Sequence, residues 1–314
     1  MSKLKIVFLD AQTLGNDVSL ESVASLGEYV SYPATAPEQV FERIKGFDVV
    51  ITNKVYMGKE QIDSCPTLKL ICVAATGTNN VDMEYAAAKG IPVRNAVDYS
   101  TESVAQVTFM QVLNLVGKAS FFDGYVKGGD YSASGCFTNA WEPFFELKGK
   151  RYGVVGLGNI GSRVAALAAA FGMEVVYYPT SGKAHSDKYK AVTDLREFLS
   201  FCDIVSVHCP LNDRTKGLLG YEQLGWMKRG AYIVNMGRGG IIVEADLVRA
   251  LDEGLLAGAA VDVFTKEPFA ADHPYMQVKD KSRLLLTPHI GWASKEAREC
   301  LISKIAENIK KGGF

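Results

Sequence analysis

No basic run longer than short pairs such as Lys310-Lys311 occurs in this 314-residue chain, whose formal net charge is -1. That removes the electrostatic footprint of a nucleic-acid binder. No apolar stretch reaches the ~18 residues of a membrane span. The opening Met1-Ser2-Lys3-Leu4-Lys5 leads into an apolar run halted by Asp10, too brief for the core of a secretory leader. Cys65, Cys72, Cys136, Cys202, Cys209 and Cys300 are scattered, with no C-x-x-C pair and no histidine spacing suited to zinc. They read as reduced, structural thiols of a cytoplasmic protein with no metal site. Histidine is scarce as well: His185, His208, His273 and His289 complete the set.

What remains is an ordinary globular composition, 48% hydrophobic and 22% charged. A chain of this length exceeds the size at which one core usually keeps growing, so two domains are expected. Apolar runs alternate with helix-period segments, the pattern of an α/β protein whose parallel sheet is covered on both faces. Ile6-Val7-Phe8-Leu9, Val49-Val50-Ile51 and Leu70-Ile71-Cys72-Val73-Ala74 read as buried strands, with a helix from Pro37 to Lys45 between the first two. A long helix is predicted from Thr101 to about Val116, then a loop around one short helix from Gly117 to Gly149. Six more strand-like runs begin at Tyr152, Glu174, Ile204, Ala231, Ala259 and Leu284, the count of a full dinucleotide-binding sheet. The last helix, Ser294 to about Lys310, cannot extend that sheet, so it is expected to return to the first domain. The boundaries that follow are 1–100 plus 290–314 for one domain and 101–289 for an inserted second.

Within the second series, Gly156-Leu157-Gly158-Asn159-Ile160-Gly161 joins an apolar strand to an alanine-rich helix. In that context Gly156 permits the tight turn, Gly158 lets backbone approach a pyrophosphate, and Gly161 lets the helix pack close to the strand. The N–H groups around Asn159 and Ile160 face the phosphates. An NAD enzyme usually carries an acid about 20 residues on, for the ribose 2'-hydroxyl. Here Tyr177-Tyr178 runs into Pro179-Thr180-Ser181-Gly182-Lys183. Two hydroxyls and a cation in place of a carboxylate remove repulsion toward a 2'-phosphate and offer Thr180, Ser181 and Lys183 as its donors. The loop favours NADP over NAD while remaining compatible with either.

Three ionisable residues follow strand-like runs downstream. Arg238, flanked by glycines in Asn235-Met236-Gly237-Arg238-Gly239-Gly240, can grip a carboxylate through two parallel hydrogen bonds. His289, in Thr287-Pro288-His289-Ile290-Gly291-Trp292, suits the proton transfer that accompanies hydride transfer at a keto carbon. Glu267, in Val261-Asp262-Val263-Phe264-Thr265-Lys266-Glu267-Pro268, is the candidate carboxylate to orient that imidazole. His208 reads as structural, and His185 and His273 as solvated loop residues.

Taken with Ala74 to Asp82, Ser103-Val104-Ala105-Gln106 and Gly258 to Pro268, these segments cover nearly the whole chain, in an order that resembles the D-isomer-specific 2-hydroxyacid dehydrogenase family. The resemblance implies a flavodoxin-like substrate domain with an inserted Rossmann dinucleotide-binding domain, and substrate in the cleft between them. It implies Arg238 as carboxylate anchor, His289 as general acid/base and Glu267 as its partner. It implies backbone N–H groups of Thr76 and Gly77 on the substrate carboxylate, and Asp262 near the nicotinamide amide. Thr108, Cys209, Pro210, Thr215, Met236, Gly237 and Gly291 match positions lining the cofactor, beside Arg238 and His289.

Two features resemble the hydroxypyruvate and glyoxylate reductases, also called glycerate dehydrogenases: Ala75-Thr76-Gly77-Thr78 with Asn53-Lys54 upstream, where Asn53 can meet a substrate hydroxyl, and the aromatic Phe137-Thr138-Asn139-Ala140-Trp141. Trp141 either packs its own loop or reaches a neighbouring subunit, homodimers being the family habit. The expectation is an NAD(P)H-dependent reductase of a small 2-keto acid, with a D-lactate-type substrate as the alternative. Formate dehydrogenases of the same family replace the glutamate that Glu267 retains. Corepressors of the family carry extensions beyond the point where this chain ends, at Phe314.

Overall fold

The computed structural model describes residues 3–184, 186 and 188–312, so His185 lies outside the described residues. Contacts divide the chain into two compact units, Met1–Ser100 with Trp292–Phe314, and Thr101–Gly291.

In the first unit five strands, β1 (Lys5–Phe8), β2 (Glu28–Ser31), β3 (Val49–Thr52), β4 (Leu70–Val73) and β5 (Val93–Asn95), form a sheet of order β2-β1-β3-β4-β5. All neighbours are parallel, and 2-1-3-4-5 is the flavodoxin-like order. β3 and β4 are buried at every position, as central parallel strands covered on both faces must be. β2 and β5 are the edges, only partly buried, and neither contains the continuous apolar run by which the other three are predicted. Alternation along the strands sends Ile6, Phe8, Val49 and Ile51 to one face, and Val7, Leu9 and Val50 to the other. The C-terminal helix Lys295–Lys310 covers the first of these faces through Leu301, Ile302, Ile305 and Ile309. Its start is fixed by Ser294, whose Oγ accepts the Ala297 N–H at 3.2 Å.

The second unit holds β6 (Arg151–Val155), β7 (Glu174–Tyr178), β8 (Lys190–Ala191), β9 (Ile204–Val207), β10 (Ala231–Asn235), β11 (Leu256–Val261) and β12 (Leu284–Leu286). Their order, β12-β11-β10-β9-β6-β7-β8, is parallel throughout. Counted from β6 it is the dinucleotide-binding 3-2-1-4-5-6 arrangement with a seventh strand beyond the sixth. The sequence predicts six strands; the one it misses is β8, a two-residue edge. Helix Thr101–Gly117 packs on helix Asn159–Ala170, where Val104, Phe109 and Val112 meet Val164, Ala165 and Ala168. Lys118, at φ 51°, breaks the first of these helices. Beyond it run two helices, Ala119–Lys127 and Asp130–Ser134, where the sequence predicts one. Among the described residues no helix is long and apolar enough to cross a membrane.

Strand order reverses between β6 and β9, the topological switch point at whose carboxyl ends open α/β sheets bind ligands.

Candidate active site

Backbone geometry in the glycine loop follows from what a side chain would strike. Gly156 has φ +88°, and a Cβ there would lie 2.7 Å from that of Cys209, so the loops after β6 and β9 touch at this point. A Cβ on Gly161 would lie 2.2 Å from the Gly156 carbonyl oxygen, which forces glycine where helix and strand meet. Around Gly158 the space is open. Gly158 precedes the helix, and the first helical bond runs from the Ser162 N–H to its carbonyl at 2.8 Å. The first-turn N–H groups, those of Asn159, Ile160 and Gly161, lie outside the helix's own ladder, a cradle suited to a pyrophosphate.

Beyond β7, a hollow of about 240 Å³ is lined by Tyr178, Pro179, Thr180, Gly182 and Arg214, among others. Arg214 was not predicted: its Nη1 donates to the Ser181 carbonyl at 3.2 Å, which sets a guanidinium against the loop holding Thr180, Ser181 and Lys183. Its sequence signal, a lone arginine in Asn212-Asp213-Arg214-Thr215, is indistinguishable from a surface turn. Thr215 is fully enclosed and shapes that turn, its hydroxyl donating to Pro210 O at 2.7 Å and accepting the Asn212 N–H at 2.8 Å. Burial pushes the Cys209 thiol up to about 11, so this cysteine stays protonated and is no nucleophile at neutral pH. Thr108 is also fully enclosed, its hydroxyl donating to Val104 O within the helix.

Three adjacent strands carry the ionisable trio at their carboxyl ends. After β10, buried Asn235 ties the turn, its Oδ1 accepting the Gly237 N–H at 3.1 Å and its Nδ2 donating to Arg238 O at 3.0 Å. Arg238 Nη1 donates to Gly237 O at 2.8 Å. That occupies one of the five guanidinium donors and steadies the fork. After β11, Glu267 Oε1 accepts the Phe264 N–H at 2.9 Å, and Oε2 lies 2.7 Å from Nδ1 of His289, which follows β12. With Nδ1 committed to a carboxylate, Nε2 is the nitrogen left to exchange a proton. The imidazole and carboxylate are 22% and 30% exposed, open enough to meet a substrate.

His289 sits at φ 54°, a left-handed conformation that residues other than glycine rarely adopt. Asp262, 1% exposed, holds that turn. Its Oδ1 accepts the Thr287 hydroxyl at 2.6 Å and the Ile290 N–H at 2.9 Å, and its Oδ2 accepts the Gly291 N–H at 2.8 Å. Burial raises the Asp262 carboxyl above the usual carboxylate range, against the lowering effect of the Thr287 hydroxyl and the two N–H groups. A Cβ on Gly291 would lie 2.9 Å from Met236 Cε and 3.0 Å from Asp262 Oδ2, so glycine is required where the turn after His289 packs on these two side chains.

The other histidines separate clearly. His208 bonds Ser206 Oγ through Nε2 at 2.9 Å while Nδ1 is buried. Burial pushes it down to about 3, which leaves it neutral and unable to deliver a proton. For His273 the structure corrects the expectation of a solvated loop residue. Its side chain is 9% exposed, Nε2 lies 3.0 Å from Glu244 Oε2, and the ring packs 4.5 Å from that of Phe269.

In the first unit, Thr76 is exposed and Gly77 half-exposed on the loop after β4. Asn53 is only 4% exposed and donates from Nδ2 to Thr13 Oγ1 at 3.0 Å, so its amide is turned into the protein. Its neighbour Lys54 is exposed.

The family model described as "D-isomer specific 2-hydroxyacid dehydrogenase, NAD binding domain" matches residues 109–291. A hydroxypyruvate reductase from Blautia hydrogenotrophica is 36% identical over 98% of this chain and 96% of its own length. A glycerate dehydrogenase from Methylorubrum extorquens is 35% identical over 98% and 95%. Among solved structures, a D-lactate dehydrogenase from Aquifex aeolicus complexed with NAD and lactic acid superposes with a TM-score of 0.83 at 27% identity, over 97% of this chain and 94% of that one.

Proposed function

The chain belongs to the D-isomer specific 2-hydroxyacid dehydrogenase family, and from that premise we propose that it reduces hydroxypyruvate or glyoxylate to the corresponding 2-hydroxy acid. The observation that carries the reading is the 2.7 Å contact between His289 Nδ1 and Glu267 Oε2 at the carboxyl ends of strands neighbouring the Arg238 turn. Relatives named for hydroxypyruvate and glycerate, aligned along almost the entire chain, support the substrate class.

Nicotinamide, when bound, supplies the hydride, and the open space at Gly158 before the helix fits the cofactor's pyrophosphate. Everything else falls to the chain. Arg238 forks the substrate carboxylate and thereby orients the neighbouring carbonyl. Nε2–H of His289 gives its proton to the carbonyl oxygen as the carbon accepts two electrons, and the ring is then neutral. Glu267, bound to Nδ1, fixes which nitrogen faces the substrate. Reprotonation from solvent restores the starting state.

For the cofactor we propose NADPH as the better donor, its 2'-phosphate held by Thr180, Ser181 and Lys183 with Arg214 as a second cation. A steady-state panel of hydroxypyruvate, glyoxylate, pyruvate and bulkier keto acids, each against NADH and NADPH, tests both halves. Hydroxypyruvate or glyoxylate should give the highest kcat/KM, and Arg214→Ala should raise the Michaelis constant for NADPH alone. Preference for pyruvate would move the substrate to the D-lactate type. An equal effect of Arg214→Ala on both cofactors would end the phosphate assignment.

We also propose a homodimer joined through the second unit. Phe137, Trp141 and Phe144 are 91%, 74% and 63% exposed along one short segment, an apolar surface of the kind that marks an interface. Light scattering should return twice the chain mass, and less with Trp141→Ala. A monomer at every concentration would reject the assignment.

A further inference from the structure

Besides Glu267 and His289, the second unit contains another carboxylate–imidazole pair, Glu244 with His273. Their side chains are 15% and 9% exposed, too enclosed to be ordinary surface partners. Glu244 is the first residue of helix Glu244–Asp252. Its two oxygens go separate ways: Oε1 accepts the Thr265 N–H at 2.8 Å, and Oε2 meets His273 Nε2 at 3.0 Å.

The peptide that Glu244 holds is no ordinary loop segment. The Phe264 N–H, one residue earlier, donates to Glu267 at 2.9 Å. Successive N–H groups are thus each taken by a different carboxylate, the inner one belonging to the proposed proton relay. On its other side the same peptide meets the arginine turn. A Cβ on Gly239 would lie 2.0 Å from the Phe264 carbonyl carbon and 2.2 Å from the Thr265 nitrogen, so the two backbones are in direct contact next to Arg238. The Phe264 ring, 9% exposed, stands edge-on to Phe269 at 4.7 Å and to His273 at 6.3 Å. His273 is therefore fixed twice, by its hydrogen bond to Glu244 and by the rings around it.

We propose that Glu244 and His273 are positioning residues, an outer pair that fixes the Phe264–Thr265 peptide and through it the placement of Glu267 and Arg238. Neither touches the reacting atoms. Removing the Glu244 carboxylate leaves the Thr265 N–H without its acceptor and releases one side of the peptide from which Glu267 is hung. A 1 Å displacement of a reacting group can cost about 10²-fold in rate. Because Phe264 packing and Gly239 contact persist, the expected loss is smaller, roughly tenfold.

This inference rests on the proposed proton relay, and a double-mutant cycle separates the two. Four enzymes are compared with hydroxypyruvate and NADPH: the unaltered chain, Glu244→Ala, Glu267→Ala and the double variant. Glu244→Ala should lower kcat about tenfold with unchanged NADPH affinity, and should add little once Glu267 is gone. Glu244→Gln keeps an oxygen for Thr265 and should recover most of the rate; His273→Phe keeps the ring packing and should fall between the two. Thermal melts and NADPH titration verify that each variant is folded. If Glu267→Ala abolishes turnover while Glu244→Ala does not change it, or if the two losses simply multiply, the positioning role is wrong and the relay stands. If Glu267→Ala leaves kcat intact, both are wrong.

Discussion

Alanine at His289 is expected to lower turnover of hydroxypyruvate by roughly 10²–10⁴-fold, the range a positioned proton donor contributes. The expectation is this large because no other described histidine can substitute. His208 is pushed down to about 3 by burial and has no proton to give, and His273 is engaged with Glu244 among aromatic rings. On the proposed mechanism NADPH affinity should change less than turnover, because the imidazole would act on the substrate carbonyl while the glycine loop after β6 would hold the pyrophosphate. Glu267→Gln should produce a smaller loss in the same direction. Its amide oxygen can keep the Phe264 N–H, but the carboxylate oxygen that meets His289 Nδ1 is replaced by an amide nitrogen. The measurement is single-turnover loss of NADPH absorbance at saturating substrate, which isolates the chemical step from product release. Turnover by His289→Ala equal to that of the unaltered chain would remove the residue from the mechanism.

Why the chain places such a histidine on a strained backbone is answered by Asp262. A left-handed φ of 54° is unfavourable for any residue with a Cβ, and three hydrogen bonds to one buried carboxylate hold it there. From sequence, Asp262 is a cofactor contact implied by resemblance. In the structure both of its oxygens accept from the turn that carries His289. Strain confined by buried hydrogen bonds beside reacting groups is the usual way a fold pre-sets a side chain.

How much of this was legible in the chain follows from what each signal requires. Val49–Thr52 and Leu70–Val73 are central and buried throughout, so they appear as unbroken apolar runs. Glu28–Ser31 and Lys190–Ala191 are edges that need no such run. The glycine loop was readable because backbone geometry there forbids a side chain at Gly156 and Gly161. Arg238, Glu267 and His289 could be nominated because each lies downstream of an apolar run, and His289 also because the chain has only four histidines. Glu244 and His273 could not: 29 residues separate the two, and 21 separate Glu244 from Thr265. No local pattern announces a contact that exists only after β11 has been laid beside β10. Asn53 shows a different limit: a polar residue after a strand suggests a ligand contact, and no local pattern announces that its Nδ2 donates to Thr13, 40 residues away.

Arg238→Lys carries the second large effect, aimed at a different property of the site. The guanidinium presents a planar fork, held by its bond to Gly237 O and by Asn235 closing the turn behind it. An ammonium retains the charge but cannot make two parallel bonds to one carboxylate. Hydrogen bonds to charged groups are worth about 1.5–3 kcal/mol. Losing one of the pair should therefore lower kcat/KM roughly 10- to 100-fold, at 1.36 kcal/mol per factor of ten. Rate alone would not separate anchoring from general damage, so a carboxylate-free ketone of matched size serves as the comparison. The unaltered enzyme should strongly prefer the keto acid, and Arg238→Lys should lose most of that preference while the poor rate with the plain ketone hardly changes. Should both substrates slow by the same factor, Arg238 is supporting the turn rather than gripping the carboxylate. Should the keto acid be reduced as fast as before, the carboxylate anchor must lie elsewhere.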